Sequence, residues 1–531
     1  MATPAETARR VGDGLARWLR RSLVRRALPR AGPFWVSLEL PSPLPDVPAR
    51  RWRSERTATL LGVLEALEAV AEEPRAHGIL LHVRGGVGGI AIAQTLRRAL
   101  DAVRERGKAI VAWAESLDLA SLYVASAADR LWVPETGRVF AIGLRADAFY
   151  LRDLLARFDV KPELVRIGTH KSAGEMFTDQ RMSDAQREQL DAIVGDSFDA
   201  LVEGIAAGRG LDTAVVRALI DRGPYVAAAA REAGLVDDCL YPDEIPERFG
   251  EAASRLSASP GRPVLVDARV LCALRASAGA REWLAPLPRI ACVFASGAVY
   301  RGRRGRGIPS GMYEDLFGAL ARDPRVRGVM LRIDSPGGDA LASDLLWRAV
   351  RALRREKPVV ASLAEVAASG GYYLASAADC VIAERSTITG SIGVIGGKLD
   401  LSGLYQRLGI GRDAVERGAR AGMLTDARGF TDDEREAVHG EMRALYASFV
   451  ARVAEGRGLA VGVVERVAQG RVWTGGRALG LGLVDALGGP LEALHEVRRR
   501  AGLRVAEPAL LDLHPRVPLL PALRALSRWL G

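Results

Sequence analysis

The sequence predicts an α/β fold that occurs twice in one chain, and three observations carry this. Short apolar stretches alternate with helical patterns of 10–15 residues, which implies a parallel sheet built from βαβ units. PRAHGILLHV at 74–83 returns as PRVRGVMLRI at 324–333, and ASAAD at 125–129 returns at 375–379, both 250 positions on. SDAQRE at 183–188 returns as TDDERE at 431–436, and GLVD at 234–237 returns at 482–485, both 248 positions on. Two copies have therefore stayed nearly collinear. A chain of 531 residues is also too long for one ordinary domain, and two to four are expected.

Taken in order, residues 1–32 form a basic amphipathic segment. Residues 1–30 hold eight arginines against Glu6 and Asp13, a net +6 of the chain's +10. Val11, Leu15, Trp18 and Leu19 fall on one side of a helix, which fits a membrane-surface helix, an oligomer contact or a packed terminal helix. Residues 33–255 are the first repeat. Residues 256–288, rich in Pro, Arg and Ala, read as a linker. Residues 289–505 are the second repeat, with strands at 289–295, 328–333 and 359–363 and helices at 311–321 and 340–355. Residues 506–531 are a C-terminal tail, where Leu520, Leu523, Leu526 and Leu530 suit core or interface.

Composition excludes several functions. The basic excess is a terminal tail and not a patch with interleaved aromatics, so nucleic-acid binding is a poor reading. Four widely spaced cysteines without CxxC, and six histidines without HExxH, predict neither a metal site nor a cofactor. No uncharged run reaches 18 residues, and the N-terminus lacks an apolar core segment, so neither a transmembrane helix nor a secretory signal is expected.

The chemistry-bearing motifs fall where strands meet helices, and ligand sites in such sheets lie at the carboxyl ends of strands. Ser369 lies in AASGGYY, a small-residue run that suits a serine at a helix start, where glycine permits close approach of a substrate. SPGG at 335–338 ends a strand, and its glycines can present backbone N–H groups to a developing oxyanion. Gly338 is one candidate donor, and Gly370, which follows Ser369, is another. A serine hydroxyl needs a base to attack a carbonyl. No histidine sits in a recognisable nucleophile–His pattern, and His170 reads as an exposed loop residue. A neutral lysine can serve instead. Only five lysines occur among 74 basic residues, and Lys171 in IGTHKSAGE has small, partly apolar surroundings. Arginine could not replace it in that role, because it does not give up its proton.

The repeat sharpens this choice. The 250-residue offset sets Leu119 opposite Ser369, Ala141 opposite Ser391, and Gly418 or Ala419, depending on a gap, opposite Lys171. Each copy lacks what the other has, so one composite site is expected, with base from the first copy and nucleophile from the second. The rival base is Lys398, which GGKLD places in a polar turn after a strand.

With SPGG, AASGGYYLASAAD (367–379), TGSIGV (389–394), HKSAGEMFT (170–178) and GRVWTGGRALGLGLVD (470–485), the chain resembles the long form of bacterial signal peptide peptidase A, or protease IV. The resemblance spans about residues 33–500. It implies tandem duplicated domains of the Clp protease/crotonase-like (ββα superhelix) fold and a Ser-Lys peptidase, with Ser369 as nucleophile, Lys171 as base and Ser391 orienting the lysine amine. It further implies apolar peptide substrates, including cleaved signal peptides, and assembly as a homotetramer. Long-form members usually carry an N-terminal membrane anchor. Here only the basic segment stands in that place, so peripheral contact with the bacterial inner membrane, or a cytoplasmic location, is expected. Two other readings stay open. One is a crotonase-like acyl-thioester enzyme using Asp339 or Glu365, and the other is a non-catalytic peptide-binding scaffold.

Overall fold

A computed structural model describes residues 28–46, 59–257, 263–276, 287–504 and 510–514. The expected N-terminal amphipathic face and the leucines of the C-terminal tail lie outside these residues.

Each repeat builds its own sheet. The first supplies β1 (Phe34–Leu40), β2 (Ala76–Val83), β3 (Ala109–Ala114), β4 (Arg130–Val133), β5 (Lys161–Ile167), β6 (Asp238–Cys239) and β7 (Leu265–Asp267). Six of these form a sheet in the order β7-β1-β2-β3-β4-β6, with every pair parallel. The second supplies β8 (Arg289–Ser296), β9 (Val299–Tyr300), β10 (Ile308–Pro309), β11 (Val326–Ser335), β12 (Val359–Ala368), β13 (Cys380–Ala383), β14 (Ile388–Gly390), β15 (Val394–Asp400), β16 (Val472–Thr474), β17 (Ala486–Leu487) and β18 (Leu510–His514). Its sheet runs β16-β14-β12-β11-β8-β18, with β13 beside β12 and β17 beside β13. The crossover helices include α1 (Leu60–Glu72), α2 (Ile90–Glu105) and α3 (Leu119–Ala125), then α4 (Asp184–Arg209) and α5 (Ala268–Ala276) in the first repeat. Their counterparts include α6 (Ser310–Arg322), α7 (Ala340–Arg354), α8 (Gly370–Ala375), α9 (Asp432–Arg457) and α10 (Pro490–Arg500). Central strands such as β3 and β8 are apolar and buried nearly throughout, as a parallel sheet covered on both faces requires.

The repeated motifs do the same structural work in each copy. Asp129 and Asp379, the last residues of the two ASAAD stretches, accept from the Ile110 and Val359 N–H groups at 2.8 Å. Asp237 and Asp485, which end the two GLVD stretches, accept from Leu131 and Val381 N–H at 2.7 Å and pair with Arg209 and Arg457. Both duties fasten a strand start to a loop, which explains why these short strings survive in both copies.

Residues 256–288, expected to be a linker, in part complete the first repeat. β7 pairs in parallel with β1, and α5 follows it onto that repeat's core. β18, in the expected tail, takes the same place beside β8. Proline and arginine content hid both strands.

The feature that positions the site is an exchange between copies. β5 leaves the first repeat and pairs antiparallel with β15 of the second, from Lys161 opposite Asp400 to Ile167 opposite Val394. The counterparts of these strands 250 positions away, residues 144–150 and 411–417, form no strand. The offset holds locally in three dimensions. Asp159 and Gly409 share positive φ (55° and 69°), as do Gly168 and Gly418 (111° and 98°). Lys171 N–H donates to the Gly168 carbonyl and Ala421 N–H to the Gly418 carbonyl, both at 3.1 Å. The structural counterpart of Lys171 is thus Ala421, and neither Gly418 nor Ala419.

Candidate active site

Ser369 sits between the end of β12 and the start of α8, with φ 53° and ψ −120°. A side-chain-bearing residue in such a region costs about 1–3 kcal/mol and persists only where its surroundings hold it. Here the Ser369 N–H donates to the Gly390 carbonyl and its carbonyl accepts from Tyr373 N–H, both at 2.8 Å. The small-residue run is explained by crowding. A Cβ on Gly337 would stand 2.6 Å from the Ser369 Cβ and 2.7 Å from the Gly370 nitrogen.

The SPGG turn lies against this elbow. The Ser335 hydroxyl, fully buried, accepts from Gly337 N–H at 3.1 Å and holds the turn. β9 braces its other side, because Val299 N–H donates to the Gly337 carbonyl and the Val299 carbonyl accepts from Asp339 N–H, both at 2.9 Å. Gly338 (φ 157°) leaves no room for a side chain, since a Cβ there would sit 2.0 Å from the Val299 carbonyl oxygen. The Gly338 nitrogen would lie 3.2 Å from a Cβ on Gly370, so the two glycine amides are neighbours beside Ser369. Neither N–H has an acceptor among the described residues.

Lys171 reaches this place from the first repeat, in the loop after β5. Its ammonium lies 3.1 Å from the Ser369 Oγ, 3.0 Å from the Ser391 Oγ and 3.2 Å from the Ser391 carbonyl oxygen. Donor and acceptors belong to one chain. The side chain is 6% exposed, and burial without a carboxylate to offset it pulls the lysine down to about 8. Ser391, at φ 54°, is held by its N–H donating to the Arg471 carbonyl at 2.7 Å.

Two residues that sequence reasoning missed hold the lysine loop. Gln189 on α4, 3% exposed, donates from Nε2 to the His170 carbonyl at 3.1 Å and accepts at Oε1 from Val472 N–H at 2.9 Å. It ties the lysine loop to β16 of the other repeat. Gly470 packs so closely that a Cβ would fall 2.6 Å from the Lys171 nitrogen. The glycine of GRVWTGG was a visible signal; for Gln189 there was none, because the partners that tie down the loop, His170 and Val472, are met through their backbone atoms.

The rival candidates are engaged elsewhere. Lys398 lies within β15 and not in a turn; it donates to the Met423 carbonyl at 2.8 Å and stands over the Phe430 ring. His170 faces Glu188 at 3.9 Å. Asp339 accepts from Ala342 N–H at the start of α7 and pairs with Arg301. Glu365 accepts from Ala91 and Ile92 N–H across the repeats, at 3.2 and 2.7 Å. Both carboxylates of the acyl-thioester reading thus hold local structure, Asp339 at a helix start and Glu365 between the repeats. Among the described residues, no group of three or more His, Cys, Asp or Glu is placed to hold a metal, and no helix is long and apolar enough to cross a membrane.

A serine hydroxyl beside a buried amine and two unengaged amide donors is the arrangement of an acyl-transfer hydrolase. Residues 102–254 and 351–504 each match peptidase family S49; the chain belongs to this family and carries its domain twice. It is 32% identical over 444 residues to the chloroplastic serine protease SPPA of Arabidopsis thaliana, covering 82% of this chain but 64% of that one. It is 27% identical to Protease 4 of Salmonella typhi, over 86% of this chain and 75% of the relative. It is also 27% identical to Protease 4 of Haemophilus influenzae, over 85% and 74%.

Proposed function

We propose that this chain is a serine endopeptidase with a Ser369–Lys171 dyad, degrading cleaved signal peptides and other apolar peptides by acyl-enzyme hydrolysis. The observation that carries this reading is the buried Lys171 amine, free of any counter-charge, 3.1 Å from the Ser369 Oγ. The neutral amine takes the Ser369 proton as Oγ bonds to the scissile carbonyl carbon. The carbonyl oxygen becomes an oxyanion held by the Gly338 and Gly370 N–H groups. Collapse breaks the C–N bond, and the Lys171 ammonium returns its proton to the leaving amine. Water then attacks the acyl ester with Lys171 again as base, which releases the acid and restores Ser369. Ser391 keeps the amine oriented through both steps.

The fold we assign is the Clp protease/crotonase-like superhelix in tandem, and the assembly a homotetramer. Support for assembly comes from the unpaired counterparts of β5 and β15. Within one chain that pairing is satisfied between copies, whereas residues 144–150 and 411–417 are left to pair between chains. Phe149 and Val415, one in each of these segments, are 77% and 89% exposed. Such a head-to-tail contact uses two different surfaces, and a quarter-turn between successive chains would close it into a ring of four. A bacterial setting, peripheral at the inner membrane or cytoplasmic, completes the reading.

The test is hydrolysis of an apolar fluorogenic peptide by wild type, Ser369→Ala and Lys171→Ala across pH. We expect both variants to be silent and wild-type kcat/KM to rise with pH through about 8, as Lys171 loses its proton. Activity in Ser369→Ala would overturn the reading. Activity in Lys171→Ala alone would move the base elsewhere.

A further inference from the structure

We propose that the arginine loop 301–307 selects peptides that carry a carboxylate flanking the scissile bond. The proposal rests on the peptidase reading above and adds a substrate class to it. The loop reads RGRRGRG, four arginines in seven residues, between β9 and β10. It is built onto the oxyanion turn. β9 is hydrogen-bonded to both sides of Gly338, through the Gly337 carbonyl and the Asp339 N–H. Arg301 then reaches back to Asp339, with Nε 3.1 Å from Oδ2. The Tyr300 hydroxyl donates to the Arg304 carbonyl and Gly311 N–H to the Gly302 carbonyl, both at 2.9 Å, which closes the loop on itself. The loop is thereby fixed next to the Gly337–Asp339 turn, at one end of any peptide whose carbonyl lies on Gly338.

The charge there is only half neutralised. Arg301 pairs with Asp339 and Arg303 with Asp315. Arg304 and Arg306 are exposed and have no anionic partner among the described residues. Two free guanidiniums in a closed loop offer planar, bidentate recognition of a carboxylate. A lipid surface is the weaker occupant. Membrane-seeking segments combine basic residues with large exposed apolar ones, and the loop has none of the latter.

The experiment uses peptides that share one apolar cleavage segment, with Glu or Gln three residues to either side of it. Wild type should hydrolyse a Glu peptide about fivefold faster than its Gln twin at low salt, the scale of an exposed ion pair, and lose the preference at high salt. The two should become equal substrates for Arg304→Gln/Arg306→Gln. Binding of the same peptides to Ser369→Ala, read by fluorescence anisotropy, gives the preference without turnover. Hence a failure of the dyad and a failure of the loop are distinguishable. Equal binding and equal cleavage of Glu and Gln twins at both flanks would overturn the proposal, as would a preference that survives in the double variant. Sedimentation with phosphatidylglycerol vesicles that is lost in the double variant, without any peptide preference, would assign the loop to a lipid headgroup and overturn it as well.

Discussion

The turn that carries Ser369 in the second repeat carries Leu119 in the first, and the backbone differs with the residue. In the first repeat Asp118 caps α3 by accepting from Ser121 N–H at 2.7 Å, while the Ser121 hydroxyl accepts from Asp118 N–H at 2.8 Å. That is a relaxed helix start of the commonest kind. In the second repeat Ala368 and Gly371 stand at those positions, the side-chain caps are gone, and Ser369 is held at φ 53°. The same holds for the turn beside it: Gly337 corresponds to Val87, which is buried in the first repeat's core. Where the two copies differ, the first keeps ordinary packing and the second keeps strain and open amides. The reverse is true of the lysine, since Lys171 in the first copy corresponds to Ala421 in the second. On the proposed dyad each copy holds half of a site, and the β5–β15 exchange brings the halves together.

The sharpest break of this comparison is to replace the proposed base by a cation that keeps its proton. Lys171→Arg keeps a cation beside Ser369 but cannot accept its proton. Turnover should fall as far as in Ser369→Ala, on the order of 10⁴-fold or more. Measurable wild-type turnover in Lys171→Arg would remove Lys171 from the mechanism.

A second comparison sets activity against stability. Burial holds Lys171 at about 8 when folded, against an ordinary value of 10.5, so the unfolded chain binds the proton more tightly. Stability therefore rises with pH between about 8 and 10.5, and the full penalty, roughly 3 kcal/mol at 1.36 kcal/mol per unit, is present below pH 8. Lys171→Met should be inactive yet more stable by about that amount at neutral pH. The gap should close by about pH 10.5. Denaturant titrations of both chains at pH 7 and 10 read it directly, and a gap that stays constant with pH would contradict the burial argument.

Much of this was legible in the sequence because repeats carry positional information that a single motif does not. The offset alone assigned Leu119 and Ala141 as the empty counterparts of Ser369 and Ser391. It missed Ala421 because the two-residue gap falls after the lysine loop, not before it, and only the matched Gly168 and Gly418 turns reveal that. Edge strands β7 and β18 were illegible for a different reason: three to five residues in Pro- and Arg-rich surroundings carry no alternation. Lys398 misled as a turn because GG precedes it, although Gly397 is there to let β15 approach β5, its missing Cβ being 2.0 Å from the Glu163 carbonyl oxygen.

Gln189 tests whether the halves must be clamped as well as juxtaposed. Its amide is the buried link between the Lys171 loop and β16. Gln189→Leu removes both of these links, together with the Nε2 bond to the Ala185 carbonyl, at nearly constant volume, a loss on the order of 1–3 kcal/mol. If the residue positions Lys171, kcat should fall roughly 10- to 100-fold with KM little changed, and the rise of kcat/KM with pH should shift from its wild-type midpoint. A purely structural residue would lower thermal stability and leave that midpoint alone.

The smallest expected effect concerns the joint left open. Applying the β5–β15 register to its counterparts sets Arg145 of one chain opposite Glu416 of the next, and Phe149 opposite Arg412. Directly opposed charges on antiparallel strands contribute about 0.2–1 kcal/mol, and like charges oppose pairing by a similar amount. Arg145→Glu and Glu416→Arg should each weaken association by about three- to tenfold. The two together should recover most of it, because the pair is restored with its signs exchanged. Sedimentation equilibrium of the three variants measures this coupling. Additive losses in the double variant would mean that residues 144–150 and 411–417 do not face each other, and that the copies use their shared geometry only once, within the chain.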